Sequence, residues 1–254
     1  MHSTAPEISR EEKPSQPVSL SVVMPAYNEE AMIENVVREH LALLSELSGE
    51  LQDWEILCLD DGSTDSTGNI LESMAAADNR VRVLRHPQNK GIDESLADLY
   101  RAARGTHIYV TASDGQWPAG NLAVLQRTLF ESQADLVVGV RRNRRQVYGI
   151  SRLVVSYLFN LLPRILFGVK TADAGSNKLG RKEIFCAPII SRSPFAEAER
   201  IVKAQLDGFR VAYVSIDFFA RTSGTTTGAS RSNILASARD LLRCVKVYGF
   251  RPGS

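Results

Sequence analysis

The residues SLSVVMPAYNEE, numbered 19–30, decide the fold of this chain. They begin as a short run of β-branched and other apolar residues, which is typical of a buried strand, and they end in a polar cluster. In the segment that follows, EEAMIENVVREHLALLSEL, apolar residues recur at helical spacing between Ile33 and Leu44 and predict an amphipathic helix. A strand that leads directly into a helix is typical of a βαβ unit with parallel strands.

The same alternation continues to Val140. WEILCLD, VRVLR, HIYVT and DLVVGV predict strands, and helices are predicted after Thr64, up to Gly105 and after Pro118. Beyond Val140 a basic run, RRNRR, leads into an apolar segment at residues 153–169. A loop containing ADAGSNKLGRKE, a helix, a strand and a final amphipathic helix come after it. We therefore predict an α/β fold with a mostly parallel sheet flanked by helices.

Composition narrows the class of protein. Hydrophobic residues make up 44% of the 254 residues, which is enough to bury a large core, and 30 basic residues against 29 acidic ones argue against a general nucleic-acid binder. Cys58, Cys186 and Cys244 are too far apart for a disulfide framework or a metal motif, so a reducing compartment is expected.

Neither end of the chain nor its longest apolar segment predicts a membrane span. Residues 1–17 lack the apolar stretch of a secretory signal and predict a disordered tail. Residues 153–169 are interrupted by asparagine, proline and arginine, and a spanning helix needs about 20 mostly apolar residues. We expect a cytoplasmic protein that at most contacts a membrane surface.

Polar clusters follow three of the predicted strands. PAYNEE follows the first strand, DDGSTD the second and SDGQ the fourth, and ligands of open α/β sheets bind at the carboxyl ends of the strands. The sequence has neither a G-x-G-x-x-G turn after the first strand nor a Gly-Lys-Ser/Thr phosphate loop. An acid at the end of the second strand suits a ribose hydroxyl or a base edge. We therefore expect a single nucleotide, bound without a glycine-rich cradle.

Taken together, VVMPAYNEE, LDDGSTD, NKG and SDGQWP resemble the inverting glycosyltransferases of family 2. Within that family the chain looks most like the polyprenol-phosphate sugar transferases, such as the dolichol-phosphate mannose synthases, over residues 19–228. The resemblance implies a GT-A type nucleotide-diphospho-sugar transferase fold, a GDP- or UDP-sugar as donor, and Mg²⁺ or Mn²⁺ as cofactor. We accordingly expect a glycosyltransferase domain at 18–230, with a nucleotide-binding half at 18–140 and an acceptor half at 141–230, and a C-terminal amphipathic helix at 231–254.

The resemblance assigns most donor contacts to the loops after the first two strands. The donor-binding residues that it implies are Pro25, Ala26, Tyr27 and Glu29 in the nucleoside pocket, Asp60 and Asp61 at the base or ribose, and Lys90 beside the diphosphate. As an alternative, Tyr27 and Glu29 are ordinary residues for the start of a helix, where an acid favours the positive end of the helix dipole. Thr64 and Asp65 are expected to cap the following helix.

The end of the fourth strand departs from the family's usual pattern, Asp-x-Asp followed by Gly-Gln. Ala112 stands at the position of the first acid, while Asp114 and Gln116 match the second acid and the glutamine. Mg²⁺ and Mn²⁺ prefer oxygen ligands, so the Asp114 carboxylate, the Gln116 amide oxygen, the donor diphosphate and water would form the metal's shell. The resemblance thus assigns Asp114 to metal binding and catalysis and Gln116 to metal binding. The alternative is an ordinary turn acid.

Acceptor residues are implied further along the chain. Glu199, in EAERIVKA, matches an acid that the family carries near the acceptor, and it is expected to position the acceptor or to act as a base. The alternative is a solvated helix acid. Arg141 and Arg221, and more weakly Arg152, match arginines that contact phosphates in the lipid-phosphate branch, and guanidinium groups suit phosphate oxygens. RTSGTTTG is predicted to close over the substrates.

Other departures leave more than one function open. Asp93, Glu94 and Ser95 replace glycine and small residues after NKG, and Thr227 stands where a lysine is common. Two acids beside a diphosphate would repel it unless a cation offsets them. Our first hypothesis is an inverting hexosyltransferase that acts on a polyprenyl phosphate, and residues 153–169 then either contact lipid headgroups at the cytoplasmic membrane face or form a buried helix. The alternatives are a weak or inactive nucleotide-sugar-binding subunit and a transferase with a soluble acceptor.

Overall fold

The computed structural model of the protein describes residues 19–49, 51, 53–142, 150–219 and 231–251. Its strands are β1 (Ser19–Ala26), β2 (Asp53–Asp60), β3 (Val81–Arg85), β4 (His107–Val110), β5 (Leu136–Arg141), β6 (Lys178–Arg181) and β7 (Val211–Ile216). Its helices are α1 (Ile33–Glu46), α2 (Thr67–Ala77), α3 (Ile92–Ala102), α4 (Asn121–Ser132), α5 (Ile150–Phe167), α6 (Lys182–Cys186), α7 (Ala196–Leu206) and α8 (Arg231–Tyr248). The predicted tail at 1–17, most of the RRNRR run and the RTSGTTTG loop with Arg221 and Thr227 lie outside the described residues.

β1 lies inside a sheet with the order β3-β2-β1-β4-β6-β5-β7. It pairs in parallel with β2 and β4, whereas β6 runs antiparallel between β4 and β5. The register aligns Ala26 with Asp60 and Val23 with Val110, so β1, β2 and β4 end at the same edge of the sheet. The predicted α/β fold with a mostly parallel sheet is confirmed.

Helices cover both faces of this sheet. On one face α1, α2 and α4 bury an apolar cluster that includes Val22, Ile33 and Leu122. On the other face α3 and the helices from α5 to α8 bury a second cluster that includes Val23 and Leu99. Successive side chains of a strand point to opposite faces, so Val22 and Val23 belong to different clusters. Because both faces are covered, the strands are continuous apolar runs.

Two details differ from the prediction. The helix expected to stop at Gly105 ends at Ala102, because Ala103 has already left the helical conformation with φ −57° and ψ 138°. β6 lies within ADAGSNKLGRKE, which the sequence indicated as a loop, and α6 begins in it. A strand of four residues gives no periodicity to detect, and its first residue, Lys178, is buried beside a partner, Glu197, that is distant in sequence.

The apolar segment 153–169 forms most of α5. Phe167 is buried and Phe159 is partly buried against the second cluster, so one side of the helix belongs to the core. Among the α5 side chains that the structure describes, Tyr157, Leu162 and Ile165 are apolar and exposed. The buried-helix alternative therefore holds for one side of α5, and contact of the other side with lipid headgroups stays a prediction. None of the helices in the described part of the chain has the length and apolarity that a membrane span needs.

A glycine makes the close approach of two loops possible. Gly62, just after β2, has φ +71°, and a Cβ on it would lie 2.5 Å from the carbonyl carbon of Gln88 and 2.7 Å from the backbone nitrogen of Asn89. Gly120, just before α4, has φ −56°, and a Cβ there would meet no described atom within 4 Å.

We expect Gly62→Ala to lower the free energy of unfolding by roughly 1–3 kcal/mol, because neither the left-handed backbone nor the contact with Gln88 can be relieved cheaply. Gly120→Ala is the matched control and should raise the free energy of unfolding by about 0.4–1 kcal/mol, since it restricts only the unfolded chain. Urea unfolding followed by circular dichroism measures both. Equal stabilities of the two variants would contradict this account of Gly62.

Candidate active site

The polar loops after β1, β2 and β4 meet at one edge of the sheet. The backbone N–H of Asp61 donates to the carbonyl of Ala26 (2.8 Å), and the hydroxyl of Ser113 donates to the carbonyl of Pro25 (2.8 Å). PAYNEE is therefore fixed between DDGSTD on one side and SDGQ on the other. The predicted convergence of the polar clusters is confirmed.

The loops after β1 and β2 also exchange hydrogen bonds in both directions. Asn28 has φ 54°, a left-handed conformation that asparagine tolerates, and its amide oxygen accepts from the backbone N–H of Thr64 (2.8 Å). Glu30 accepts from the backbone N–H of Ser66 (2.9 Å), and its own N–H donates to Asp65 (3.2 Å). The two motifs thus hold each other, since each provides acceptors for the other's backbone.

Asp65 and Thr64 differ in their contribution to α2. Asp65 precedes the N-cap residue, Ser66, and accepts from the backbone N–H of Thr67, the first residue of the helix (3.0 Å), so it satisfies one donor of the first turn without being the cap itself. Partial burial opposes its charge, but the hydrogen bonds from Thr67 and from the backbone of Glu30 hold the pKa of Asp65 below its usual value. Thr64 does not cap the helix, because its backbone N–H and its hydroxyl both bond to Asn28.

Asp60 faces the protein interior. Its side chain is fully buried, one carboxylate oxygen accepts from the backbone N–H of Ser63 (2.9 Å), and the other lies 3.2 Å from Nε of Arg85. These contacts fix the turn after β2. The expected contact of Asp60 with a base or ribose stays a prediction, and this geometry disfavours it.

Asp61 connects the loop after β2 with the loop after β3. Its Oδ1 lies 2.6 Å from Nδ1 of His86 and accepts from the backbone N–H of Lys90 (2.9 Å), and its Oδ2 accepts from the backbone N–H of Gly91 (2.8 Å). A carboxylate oxygen can accept two hydrogen bonds, so Oδ2 retains capacity for a ligand's hydroxyl or N–H. The side chain of Asp61 is only 5% exposed, so any such contact is confined to one oxygen.

The remaining residues that are predicted to bind the sugar donor lie around the loops that Asp61 connects. Pro25 and Ala26 end β1, Tyr27 is 44% exposed, and Glu29 is buried with its backbone N–H bonded to the hydroxyl of Thr67. The side chain of Lys90 is 43% exposed. Tyr27 and Lys90 are thus the members of this set whose side chains reach outward.

Asp114 and Gln116 form a tight turn after β4. Asp114 is partly exposed and accepts from the backbone N–H of Gln116 (3.1 Å), and Gly115 between them has φ +71°. The Gln116 side chain donates through Nε2 to the carbonyl of Phe219 (3.0 Å), so the Gln116 amide oxygen points away from Phe219. One carboxylate and one amide oxygen are hard oxygen donors and fit Mg²⁺ or Mn²⁺. No group of three or more His, Cys, Asp and Glu in the described residues could hold a metal, so these two donors need a ligand's oxygens beside them.

Asp93, Glu94 and Ser95 lie in the first turn of α3, where the carboxylates are near the positive end of the helix. Ser95 is buried and Glu94 is exposed. Burial raises the pKa of Asp93, and the negative charges of Glu197, Glu94 and Asp240 raise it further. Asp93 is therefore close to α7 and α8, a neighbourhood that the sequence did not indicate.

A buried ion cluster lies beside α3 and was not predicted. Glu197 is 3.0 Å from Nζ of Lys178 and 3.1 Å from Nε of Arg200, and the hydroxyl of Tyr100 donates to it (3.2 Å). Burial alone would raise the pKa of Glu197, but the charges of Lys178 and Arg200 outweigh it and lower the pKa. The spacing of Glu197 and Arg200, three residues apart on a helix, was the one local signal of this cluster.

Arg141 is held at the end of β5 by Asp173. Its backbone N–H and its Nε both donate to Asp173 Oδ2 (2.9 Å each), and its guanidinium carbon lies 5.1 Å from the centre of the Phe218 ring and 5.5 Å from that of Trp117. Asp173 has φ 50°, a left-handed conformation that aspartate tolerates better than most residues. The sequence identified Arg141 but missed Asp173. The side chain of Arg152 and all of Arg221 lie outside the description.

Glu199 is fully buried and bonded to protein donors. Its carboxylate accepts from the backbone N–H groups of Ile190 (2.8 Å) and Ser191 (2.7 Å) and from the hydroxyl of Tyr248. Burial and the negative charge of Glu199 raise the pKa of Tyr248, so its hydroxyl remains a donor. These bonds connect the segment before α7 with the end of α8. They favour a positioning role for Glu199 over a role as base, and both stay predictions.

The family model described as Glycosyl transferase family 2 matches residues 21–186. The chain belongs to this family. The matched range runs from β1 to the end of α6 and includes the loops after β1, β2 and β4. PAYNEE, DDGSTD and SDGQ had indicated this membership.

Three named relatives are identical to this chain at about a quarter of the aligned positions. The chain is 28% identical over 232 residues to Glycosyltransferase AglD of Haloferax volcanii, a match that covers 89% of the chain and 37% of the relative. It is 27% identical over 264 residues to Dodecaprenyl-phosphate galacturonate synthase of Rhizobium johnstonii, covering 100% of the chain and 75% of the relative. It is 24% identical over 246 residues to Dolichyl-phosphate beta-glucosyltransferase ALG5D of Trichomonas vaginalis, covering 91% of the chain and 74% of the relative. The chain thus spans little more than a third of the Haloferax relative.

Solved structures agree on the fold. Glucosyl-3-phosphoglycerate synthase from Mycobacterium tuberculosis, in complex with Mn²⁺, UDP-glucose and phosphoglyceric acid, matches with a TM-score of 0.66 at 20% identity and covers 92% of this chain and 81% of its own. Mannosyltransferase PcManGT from Pyrobaculum calidifontis, in complex with GDP-Man and Mn²⁺, matches with a TM-score of 0.62 at 16% identity and covers 94% and 67%. These likenesses confirm the GT-A type fold of the family 2 enzyme.

We expect Glu199→Gln to lower the free energy of unfolding by about 1–3 kcal/mol, because an amide NH₂ would replace one of the oxygens that face buried donors. Tyr248→Phe should cost about 0.5–1.5 kcal/mol through loss of one hydrogen bond. Glu131→Gln, at an exposed position of α4, is the control and should leave stability unchanged. Guanidinium unfolding measures all three. A Glu199→Gln chain as stable as the control would favour a role in chemistry over one in structure.

Proposed function

We propose that this family 2 enzyme transfers a sugar, with inversion and with the help of a divalent cation, from a nucleoside-diphosphate sugar to a lipid phosphate. The observation that carries the proposal is the meeting of PAYNEE, DDGSTD and SDGQ at one edge of the sheet, which places Asp61 and Asp114 after the two strands that flank β1. The loops after β1 and β2 offer a nucleoside pocket, and the loop after β4 offers oxygen donors beside it.

In this proposal the nucleoside lies on the loops after β1 and β2. The exposed ring of Tyr27 offers a face for the base, and Oδ2 of Asp61 accepts from the base or the ribose. Lys90, whose ammonium is exposed, is placed to offset charge on the diphosphate. Complexes of similar structures with UDP-glucose and GDP-Man support a nucleoside-diphosphate sugar as donor and leave the base open.

Asp114 and Gln116 are the proposed ligands of Mg²⁺ or Mn²⁺. When bound, the cation stabilises the negative charge that develops on the departing diphosphate. Asp114 contributes one carboxylate where many members of the family have two, because alanine stands at position 112. Ala112 is partly buried against the apolar cluster. We therefore propose that the metal binds weakly until the donor's diphosphate supplies further oxygens.

An anionic acceptor fits the rest of the site. A phosphate is already deprotonated at neutral pH and needs no general base, which agrees with a Glu199 that is fully committed to protein donors. Arg141, fixed by Asp173 and by nearby aromatic rings, is the proposed phosphate contact. The names of the Rhizobium and Trichomonas relatives support a polyprenyl phosphate. The complex of the mycobacterial enzyme with phosphoglyceric acid supports a second candidate, a soluble phosphate acceptor.

A lipid acceptor requires a surface that meets the membrane, and we assign it to the outer sides of α5 and α8. These helices lie side by side, because the backbone N–H of Arg251 donates to the carbonyl of Leu166 (2.9 Å) and the rings of Phe167 and Tyr248 are 6.3 Å apart. The exposed apolar side chains of this surface are Tyr157, Leu162, Ile165, Ile234, Leu235, Leu242, Val247 and Phe250. The exposed basic side chains among them in α8 are Arg239, Arg243 and Lys246. An apolar face with interspersed basic residues suits an anionic membrane surface.

The metal site is tested by calorimetric titration of UDP and GDP, with and without Mn²⁺, into the native chain. One nucleotide should bind at least tenfold more tightly with Mn²⁺, and Asp114→Asn should abolish that dependence, on the order of 1.4 kcal/mol or more. Asp53→Asn, at the opposite end of β2, is the control and should behave as the native chain. Binding that ignores both the metal and Asp114→Asn would instead favour a nucleotide-sugar-binding subunit without a working metal site.

The membrane surface is tested by sedimentation with vesicles of phosphatidylcholine and phosphatidylglycerol. Leu242→Glu should weaken binding roughly tenfold, since burying one leucine is worth about 1.5–3 kcal/mol. Phe130→Glu, an exposed apolar position on α4 at the other face of the sheet, is the matched control and should bind as the native chain does. Equal binding of both variants, or none by the native chain, would favour the soluble acceptor.

A further inference from the structure

His86 lies between two carboxylates at the edge of the candidate nucleotide site. It follows β3 directly and is only 6% exposed. Its Nδ1 is 2.6 Å from Oδ1 of Asp61, and its Nε2 is 2.9 Å from Oδ2 of Asp98. A neutral imidazole has one N–H and one lone pair, so it can donate to one carboxylate and would present its lone pair to the other. The imidazolium, with two N–H groups, satisfies both.

The charged groups around the ring come from three parts of the chain. Asp61 at the end of β2 and Asp98 on α3 face it directly, Lys90 in the following loop lies 3.9 Å from Asp98, and Arg101 on α3 pairs with Asp98. Burial lowers the pKa of His86, and the positive charge of Lys90 lowers it too, but the hydrogen bonds to Asp61 and Asp98 outweigh both and raise the pKa overall. The acidic partners therefore favour the charged ring.

The proton on His86 affects Asp61, the acid that the proposed function uses for the nucleotide. Asp61 already accepts from the backbone N–H groups of Lys90 and Gly91, so its carboxylate holds the loop between β3 and α3 closed. Loss of the His86 proton places a lone pair against one of the two carboxylates, Asp61 or Asp98. With the remaining proton on Nε2, Asp61 loses the donor that orients it; with the proton on Nδ1, Asp98 loses its donor and α3 loses its bond to the ring.

We propose that His86 is a positioning residue of the nucleotide site, which as an imidazolium holds Asp61 in place, so that donor binding weakens when the ring deprotonates. The inference rests on the proposed function, because it takes Asp61 as a nucleotide contact. The sign follows from linkage. The folded-state pKa of His86 lies above the unfolded value of about 6.5, so the contribution of the charged ring to the stability of the folded chain is complete below pH 6.5 and is lost as pH rises through the folded-state pKa.

The test compares three chains by calorimetric titration with UDP and GDP in Mg²⁺, from about pH 6 to about pH 9, the range around the ordinary titration of histidine. The native chain and His107→Gln should lose roughly tenfold in affinity across the transition, the loss that one pKa unit of coupling gives. His86→Gln, which cannot donate to both carboxylates, should bind weakly at every pH with a flatter profile. His107 is the first residue of β4, at the opposite end of the sheet, which makes it the matched control. Ionisation of the nucleotide itself is common to all three chains and cancels in the comparison.

Nitrogen-15 spectra of the imidazole rings report the protonation state without any nucleotide. Two N–H signals for His86 at about pH 6, and a pKa that rises when nucleotide and diamagnetic Mg²⁺ are added, would support the inference, because coupling between proton and nucleotide is reciprocal. A His86 pKa at or below its ordinary value of about 6.5, or the same pH profile in all three chains, would overturn it and leave the nucleotide site standing. Failure of both nucleotides to bind at any pH would overturn the proposed function and this inference with it.

Discussion

The parallel pairing of β1 with both β2 and β4 is the constraint on which the rest of the site depends. It ends the three strands at one edge of the sheet, so their loops meet there, where backbone N–H groups would otherwise lack partners. The loops satisfy one another instead: Asn28 accepts from Thr64, and Glu30 accepts from Ser66. The polar motifs are therefore part of the architecture as well as of the chemistry, which explains why they occur together.

Most of the fold could be predicted from the sequence, because its strands and helices carry their own periodicity. The nucleotide-side motifs were also recognisable, since each stands directly after a strand. What could not be predicted are partners far apart along the chain. Asp61 was identified, yet its bond to His86, 25 residues on, has no local signature. The same is true of Asp173 beside Arg141, and of Lys178, which a sequence pattern can only indicate as a loop cation.

The acids of the site differ in what surrounds them. Asp60, Glu197 and Glu199 are buried, and arginine, lysine, hydroxyl or backbone donors compensate each of them. Such groups cost several kcal/mol to bury unpaired, so their partners are as important as the acids themselves. Asp114 is partly exposed on a short turn beside Gln116. The contrast separates carboxylates that are compensated by protein donors from Asp114, the carboxylate that we propose as a metal ligand, a distinction that residue type alone does not provide.

The position of β6 has a consequence for how the chain reaches its native state. β6 lies between β4 and β5, although it follows both in sequence by about 40 to 70 residues. Until residues 178–181 have been synthesised, β4 has one open edge and β5 lacks both of its partners, β6 and β7, and open edges are templates for aggregation. The nucleotide-side segment therefore cannot complete its sheet alone during translation. Its last two strands depend on strands from the later part of the chain, so the sheet closes only through long-range pairing.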